Sequence, residues 1–91
     1  MSIRIVFDPA KRDRTLRERG LDFARCGEVF TAPHDTRQDT RQAYGETRRV
    51  TTGFLDGRMV VVVRTDRGGA RRIISLRKAN DREQARYARI L

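Results

Sequence analysis

The dipeptide Asp56-Gly57 constrains the fold more than any other feature of this sequence, because it separates two runs rich in β-branched and apolar residues. A two-residue connection of this kind is typical of a tight β-hairpin. The hairpin pairs Leu55 with Arg58 across the turn, and further out it brings Arg48 opposite Thr65. The sequence therefore predicts an antiparallel pair of strands in a defined register.

Side chains alternate between the two faces of a strand, so this register divides the sheet into two predicted faces. The more apolar face, which we expect helices to cover, carries Arg48, Val50, Thr52, Phe54, Met59, Val61, Val63 and Thr65. The opposite face, expected to be exposed, carries Arg49, Thr51, Leu55, Arg58, Val60, Val62 and Arg64. A second turn at Gly68-Gly69 completes a three-stranded meander over residues 48 to 77. It adds Arg72, Ile74 and Leu76 to the covered face and Ile73, Ser75 and Arg77 to the exposed one.

Capping residues predict helices on both sides of the meander. After a first strand from Ile3 to Phe7, Asp8 caps a helix that begins at Pro9 and ends at Gly20. Asp22 caps a second, short helix that extends to about residue 30. Residues 31 to 46 show no periodicity and are predicted to form a polar loop.

The C-terminal helix is predicted to begin after Asn80, with Glu83 completing a capping box. The whole chain, residues 1–91, is then a single α+β domain. Its mostly antiparallel four-stranded sheet follows the order β-α-α-β-β-β-α, with the two N-terminal helices on one face.

The charge balance favours a polyanionic partner. There are 21 Lys and Arg residues against 12 Asp and Glu residues, and all of the 21 except Lys11 and Lys78 are arginine. Arginine presents a planar fork of donors that binds two phosphate oxygens at once, which suits nucleic acid. The single cysteine excludes an internal disulfide, and no apolar run reaches the length of a membrane span, so we expect a cytoplasmic protein without membrane contact.

Motifs along nearly the whole chain resemble the BrnT family of bacterial toxins. The resemblance is carried by residues 7–11, 19–23, 29–30, 45–48, 53, 57–58, 65–68 and 72–83, and by Tyr87. It implies a RelE-like fold, a ribonuclease activity that inhibits translation, and a BrnA-like antitoxin with a ribbon-helix-helix domain. It also implies operator DNA binding only through the antitoxin, with two toxins on one antitoxin dimer.

One position departs from the family pattern in a way that affects chemistry. Many BrnT sequences read Lys-His-Gly after the first helix, whereas this chain reads Glu18-Arg19-Gly20. Histidine can exchange a proton near neutral pH, but arginine stays protonated and cannot act as a general base. Arg19 can still hold a phosphate group.

The candidate catalytic residues follow from what a metal-free ribonuclease requires: a base for the ribose 2′-hydroxyl and cations for the charge that develops on the phosphate. Glu46 is the best candidate for the base, because the register places it beyond Arg48 on the face of Thr65 and Arg72. Arg48 and Arg77 match the family pattern. The predicted catalytic set is Glu46, Arg48, Thr65, Arg72 and Arg77, without a cofactor.

Six further residues are predicted to bind RNA around this set: Lys11, Arg19, Arg49, Arg64, Ser75 and Lys78. Other polar residues have structural explanations that we favour. His34 fits a solvated loop, Cys26 a small core residue and Tyr87 a packing position. With one Cys and one His, and no calcium-loop spacing, no metal site is predicted.

Two alternatives to an active ribonuclease remain at this stage. The first is a catalytically silent toxin that still binds its antitoxin and helps to repress their promoter. The second is a basic module that binds RNA or the ribosome. Arg82, Arg86 and Arg89 fit either a solvated helix face or a surface for an acidic antitoxin segment.

Overall fold

The computed structural model describes residues 4–40 and 45–91, which form one sheet flanked by helices. The elements are β1 (Arg4–Phe7), α1 (Pro9–Arg19), a 3-10 turn (Phe23–Arg25) that leads into α2 (Cys26–Thr31), β2 (Asp35–Asp39), β3 (Arg48–Leu55), β4 (Arg58–Arg67), β5 (Ala70–Lys78) and α3 (Asp81–Tyr87). The strand order is β1-β5-β4-β3-β2, with β1 parallel to β5 and the other neighbours antiparallel. The α+β class is confirmed and is consistent with a RelE-like fold.

The sheet has five strands in the described residues, so the prediction of four strands is wrong. The additional strand, β2, lies within the segment predicted to be a polar loop, and it pairs with β3 from Asp35↔Thr52 to Asp39↔Arg48. Its sequence, Asp-Thr-Arg-Gln-Asp, lacks the apolar alternation that identifies a strand. The segment is a strand because it forms backbone hydrogen bonds with β3, and its sequence pattern gives no sign of this pairing. Residue 3 of the predicted first strand and residues 41–44 of the predicted loop lie outside the described residues.

Turns and caps follow the sequence prediction closely. Asp56 and Gly57 both have positive φ, 53° and 74°, and Leu55 pairs with Arg58 as expected. Positive φ at both central residues gives the hairpin turn a twist that matches the flanking strands. The Asp8 side chain accepts a hydrogen bond from the Ala10 N–H at 2.9 Å, as expected of an N-cap.

The 3-10 turn and α2 pack against the sheet face that was predicted to be exposed, so the face assignment is wrong. The core on this side comprises Leu21, Phe23, Cys26, Val29, Leu55, Val60, Val62, Ile73 and Leu76. Residues 60–63 of β4 are all valine, so both faces of this strand carry apolar side chains. Apolar content alone therefore could not predict which face lies under the helices. A register shift between Val63 and Arg64 adds a further error, because it places Leu76 opposite Val62 rather than Val61.

Gly53 allows α2 to approach β3 closely. A Cβ at this position would lie 2.8 Å from Val29 Cγ1, closer than real Cβ atoms approach, and 3.1 Å from His34 Cβ, which is tighter than most real contacts. Because Gly53 has no side chain, α2 can pack against this face of β3.

Replacing Gly53 by alanine should lower the free energy of unfolding by about 1–3 kcal/mol, because α2 must move away from the sheet. Gly27→Ala is the matched control, since its Cβ would lie 4.0 Å from the nearest atom, Ile5 Cγ1. Gly27 lies in α2, where alanine should be neutral or stabilising by up to about 1 kcal/mol. Urea unfolding measures both, and equal effects of the two substitutions would contradict the close approach of α2.

Candidate active site

The sheet face opposite α1 and α2 carries α3, and we call it the α3 face. Three rows of side chains cross it, each with one residue from each of the four strands β2 to β5. Row one contains Asp39, Arg48, Thr65 and Arg72; row two contains Arg37, Val50, Val63 and Ser75; row three contains Asp35, Thr52, Val61 and Arg77. Neighbouring strands lie about 4.8 Å apart, so the side chains within a row are adjacent.

Row one brings together three of the predicted catalytic residues. Asp39 pairs with Arg48, and Thr65 pairs with Arg72. Arg49 of β3 pairs with Arg64 of β4. Because these strands are antiparallel, the next pair in the same register is Arg48 with Thr65, and their side chains are adjacent. The hydroxyl of Thr65 donates to the Thr47 carbonyl at 3.0 Å, and its residue is only 2% exposed. The two arginines therefore flank a fixed, buried threonine.

Glu46 lies two residues before Arg48 along the chain, next to row one, and forms an ion pair with Arg67. Its Oε2 accepts from Arg67 Nη2 at 2.7 Å and from Nε at 3.3 Å. The Arg67 hydrogen bond lowers the pKa of Glu46 below its usual value, with further help from the Thr65 hydroxyl and the Arg48 charge. Glu46 is thus close to Thr65 and Arg48, and it is ionised at neutral pH.

Arg77 lies two rows away from the other predicted catalytic residues, about 13 Å along the strands. Its Nη1 and Nη2 donate to the two oxygens of Glu83 at 2.7 and 2.8 Å. Glu83 also accepts from the Asn80 N–H at 2.9 Å, which confirms the predicted capping box. The Arg77–Glu83 ion pair therefore links the first turn of α3 to β5.

This ion pair makes a testable contribution to acid stability. The hydrogen bonds from Arg77 lower the pKa of Glu83 from 4.5 to about 2. A lowered pKa in the folded state stabilises the protein above the unfolded value and ceases to do so as pH falls through the folded value. Glu83→Gln should cost about 2 kcal/mol near pH 7, and its difference from the parent should shrink between about pH 4.5 and pH 2.

Unfolding in urea at several pH values measures this difference. Glu18→Gln, at the exposed end of α1, is a matched control that should change stability much less. A Glu83→Gln deficit that stays constant from pH 7 to pH 2 would exclude the proposed coupling.

The predicted RNA-binding residues divide between the two sides of the molecule. Ser75 lies on the α3 face rather than on the face to which it was assigned, because of the register shift in β5. Arg19 donates to the Leu76 carbonyl at 3.0 Å beyond the end of β1. Arg19 also lines a cavity of about 350 Å³ with Glu18, Arg77 and Lys78. Lys11 is half-buried on α1.

Arg64 was predicted to lie on an exposed face, and this is wrong, because it is only 5% exposed beneath the helices. Its guanidinium pairs with Asp66 and lies 5.2 Å from the centre of the Phe30 ring. An aromatic face and a carboxylate together make a buried cation tolerable. Arg49 remains 45% exposed, 3.7 Å from the Asp66 carboxylate.

The sequence prediction missed residues of β2 that lie on the α3 face. Asp39 is 7% exposed and lies beside Arg48, while Arg37 lies over the ring of Tyr87. These positions became apparent only once β2 was seen to pair with β3. Tyr87 is itself 7% exposed, in agreement with the packing position favoured for it.

The remaining reactive side chains lie away from the α3 face. Cys26 is fully buried in the core, and burial raises the pKa of its thiol to about 12. His34 packs beside Gly53 on the helix-covered side. In residues 4–40 and 45–91 no group of three or more His, Cys, Asp and Glu side chains is placed to hold a metal ion.

None of the helices in the described part of the chain is long and apolar enough to cross a membrane. Comparison with protein families matches residues 7–83 to the family described as "Ribonuclease toxin, BrnT, of type II toxin-antitoxin system". No curated protein matches the chain. The family match covers the whole of rows one to three.

Proposed function

Since this chain belongs to the BrnT family of ribonuclease toxins of type II toxin–antitoxin systems, we propose that its α3 face binds and cleaves RNA without a metal ion. Row one carries this proposal. Arg48 and Arg72 flank Thr65, and the ionised Glu46 lies close to Arg48. Two cations and a carboxylate at one end of the α3 face supply the groups that cleavage at a ribose 2′-hydroxyl requires.

In the proposed reaction, Glu46 accepts the proton of the ribose 2′-hydroxyl, and the 2′-oxygen attacks the adjacent phosphorus. The bond from phosphorus to the 5′-oxygen breaks, and the leaving oxygen takes a proton from solvent. Arg48 and Arg72 stabilise the negative charge on the phosphate oxygens as the new bond forms. Glu46 has a low pKa and is therefore a weak base, so electrostatic stabilisation contributes most of the rate.

The RNA strand would continue from row one along β5. Arg77, Lys78 and Arg19 lie around one cavity at that edge, and their charges suit the phosphates of neighbouring nucleotides. Arg49, Lys11 and Ser75 extend the proposed contacts. Arg64 contributes through its pair with Asp66, which holds the end of β4.

The family implies an antitoxin and an RNA substrate. We propose that a BrnA-like ribbon-helix-helix antitoxin neutralises the toxin by covering the cationic row one of the α3 face with an acidic segment, and that two toxins join one antitoxin dimer. Operator DNA would be bound only through the antitoxin. We place the toxin in the cytoplasm, where messenger RNA is translated.

A catalytically silent toxin is the second candidate function. Two observations favour it: Arg19 replaces the family histidine and donates to the Leu76 carbonyl, and the pKa of Glu46 is lowered. Such a chain would bind antitoxin and assist repression without cleaving RNA. The reading as an unrelated basic module loses its support, because the family match covers most of the chain.

Expression of this chain alone should arrest bacterial growth, and co-expression of the antitoxin should restore it. Purified toxin should cleave RNA in EDTA, with ribosome-bound message included among the substrates. An Arg48→Ala, Arg77→Ala double variant should lose toxicity, whereas Arg14→Ala, Arg17→Ala on the exposed surface of α1 removes the same charge and should stay toxic. Antitoxin binding without any RNA cleavage by the folded parent would establish the silent alternative.

A further inference from the structure

A groove runs between β2 and α3 across rows two and three of the α3 face. It encloses about 460 Å³. Its floor is formed by Val50, Val61 and Val63, so an apolar surface lies beside the cationic row one. Val50 and Val63 are only half-buried, which leaves apolar area available to a ligand.

One wall of the groove is the guanidinium of Arg37, held by two contacts. Its Nε donates to Asp35 Oδ2 at 2.9 Å, and its Cζ lies 5.5 Å from the centre of the Tyr87 ring. Arg86 lies 5.7 Å from the same ring, so Tyr87 supports the arginines and is itself almost inaccessible. A planar guanidinium fixed in this way is a surface on which a nucleobase can stack.

The distance from row one to the groove also suits a nucleobase whose phosphate is bound at row one. Row two is displaced from row one by two residues along β2, β3 and β4, about 7 Å, and by three residues along β5 because of the register shift. A base is displaced from the phosphate of its own nucleotide by a distance of this order. Ser75 adds a hydroxyl at the groove for hydrogen bonding to a base edge.

The charges of the groove distinguish a base from an acidic peptide. Arg37 is paired with Asp35, and Arg77 is paired with Glu83, so two cations around the groove already contact carboxylates. An acidic segment would have to compete with these carboxylates. A neutral planar base would leave both ion pairs in place.

We propose that the groove between β2 and α3 is a subsite for one unstacked nucleobase of the RNA, adjacent to the phosphate site at row one. This subsite rests on the proposed function, because it assumes that RNA is the ligand of the α3 face. Apolar contact with Val50 and Val63 and stacking on Arg37 bind the base. Its phosphate is thereby brought to Arg48 and Arg72.

The test uses short 2′-O-methyl oligonucleotides, which cannot be cleaved, so it does not depend on catalysis. One oligonucleotide carries all its bases, and the others lack a single base at each position in turn. The parent should bind one of the abasic forms about fivefold or more weakly than the complete form, the loss that follows from a lost stacking contact.

Val63→Phe should fill the groove and abolish this discrimination, since the complete and abasic forms would then bind equally. Arg37→Ala should reduce it in the same direction, and at 50% side-chain exposure this substitution leaves the core intact. Leu16→Phe on α1 is the matched control, because Leu16 is 38% exposed and lies away from the groove. It should retain the full discrimination.

Any one of four results would overturn the subsite. The first two concern the parent: it binds no oligonucleotide, or it binds the complete form and all abasic forms equally. The third is that the Val63 and Arg37 variants weaken the binding of every form alike. The fourth is that Val63→Phe impairs antitoxin binding and leaves RNA binding unchanged, which would assign the groove to the antitoxin. If the parent cleaves no RNA but still binds the complete oligonucleotide more tightly than one abasic form, only the proposed catalytic function would be refuted.

Discussion

Replacing Arg48 by alanine should lower the rate of RNA cleavage by about a hundredfold or more, which is the usual cost of removing one preorganised donor from a developing anion. Arg48 lies in row one beside Asp39 and is close enough to Glu46 to lower the pKa of its carboxylate. Its guanidinium would therefore stabilise charge on the phosphate and also lower the pKa of Glu46, the proposed general base. Arg48→Lys should recover only part of the loss, because an ammonium group cannot reproduce the two-pronged contact.

Single-turnover cleavage of a fixed RNA measures this effect. Arg17→Ala removes an equal charge from the exposed surface of α1 and should alter cleavage only slightly. Thermal unfolding of both variants separates loss of the folded state from loss of catalysis. Unchanged cleavage by folded Arg48→Ala protein would remove row one from the reaction.

Glu46→Gln should have an effect of comparable size, about a hundredfold, if the carboxylate removes the 2′-hydroxyl proton. A base must be deprotonated to act, and Arg67 holds the pKa of Glu46 below 4.5. The parent should therefore keep its activity down to that pH and lose it in more acidic solution. The glutamine variant should lack this acidic limb, because it has no proton to gain there.

Arg67→Ala provides a second measurement on the same group. Removing the main cause of the lowered pKa should raise the pKa of Glu46 and move the acidic limb of the rate profile to higher pH. If Glu46→Gln instead cleaves RNA at nearly the parental rate, the carboxylate only orients the neighbouring cations.

Local chemistry explains which parts of the fold could be predicted. Asp56-Gly57 needs positive φ at two successive residues, and few other pairs allow it, so the hairpin and its register follow from the dipeptide. Asn80 and Glu83 satisfy each other's backbone donors within four residues, so the start of α3 is also a local property. These predictions needed no knowledge of distant contacts.

The errors concern properties that depend on partners distant in the chain. The β2 segment becomes a strand only by pairing with β3, and its polar composition gives no indication of this. Which face of β4 lies under helices depends on the approach of α2 to Gly53, and the place of Leu76 depends on the register shift next to Val63. For the candidate site, the register was sufficient to place Arg48, Thr65 and Arg72 together, but it did not reveal the groove beside α3.

The parallel pairing of β1 with β5 determines when the sheet can be completed during folding. Arg4 pairs with Ala70, 66 positions further along the chain, whereas β3, β4 and β5 are joined by two-residue turns. Closing the longer loop costs more entropy and is slower than zipping a hairpin. The strands that bear Arg48, Thr65 and Arg72 can therefore assemble early, and a ribosome must synthesise most of the chain before the first strand finds its neighbour.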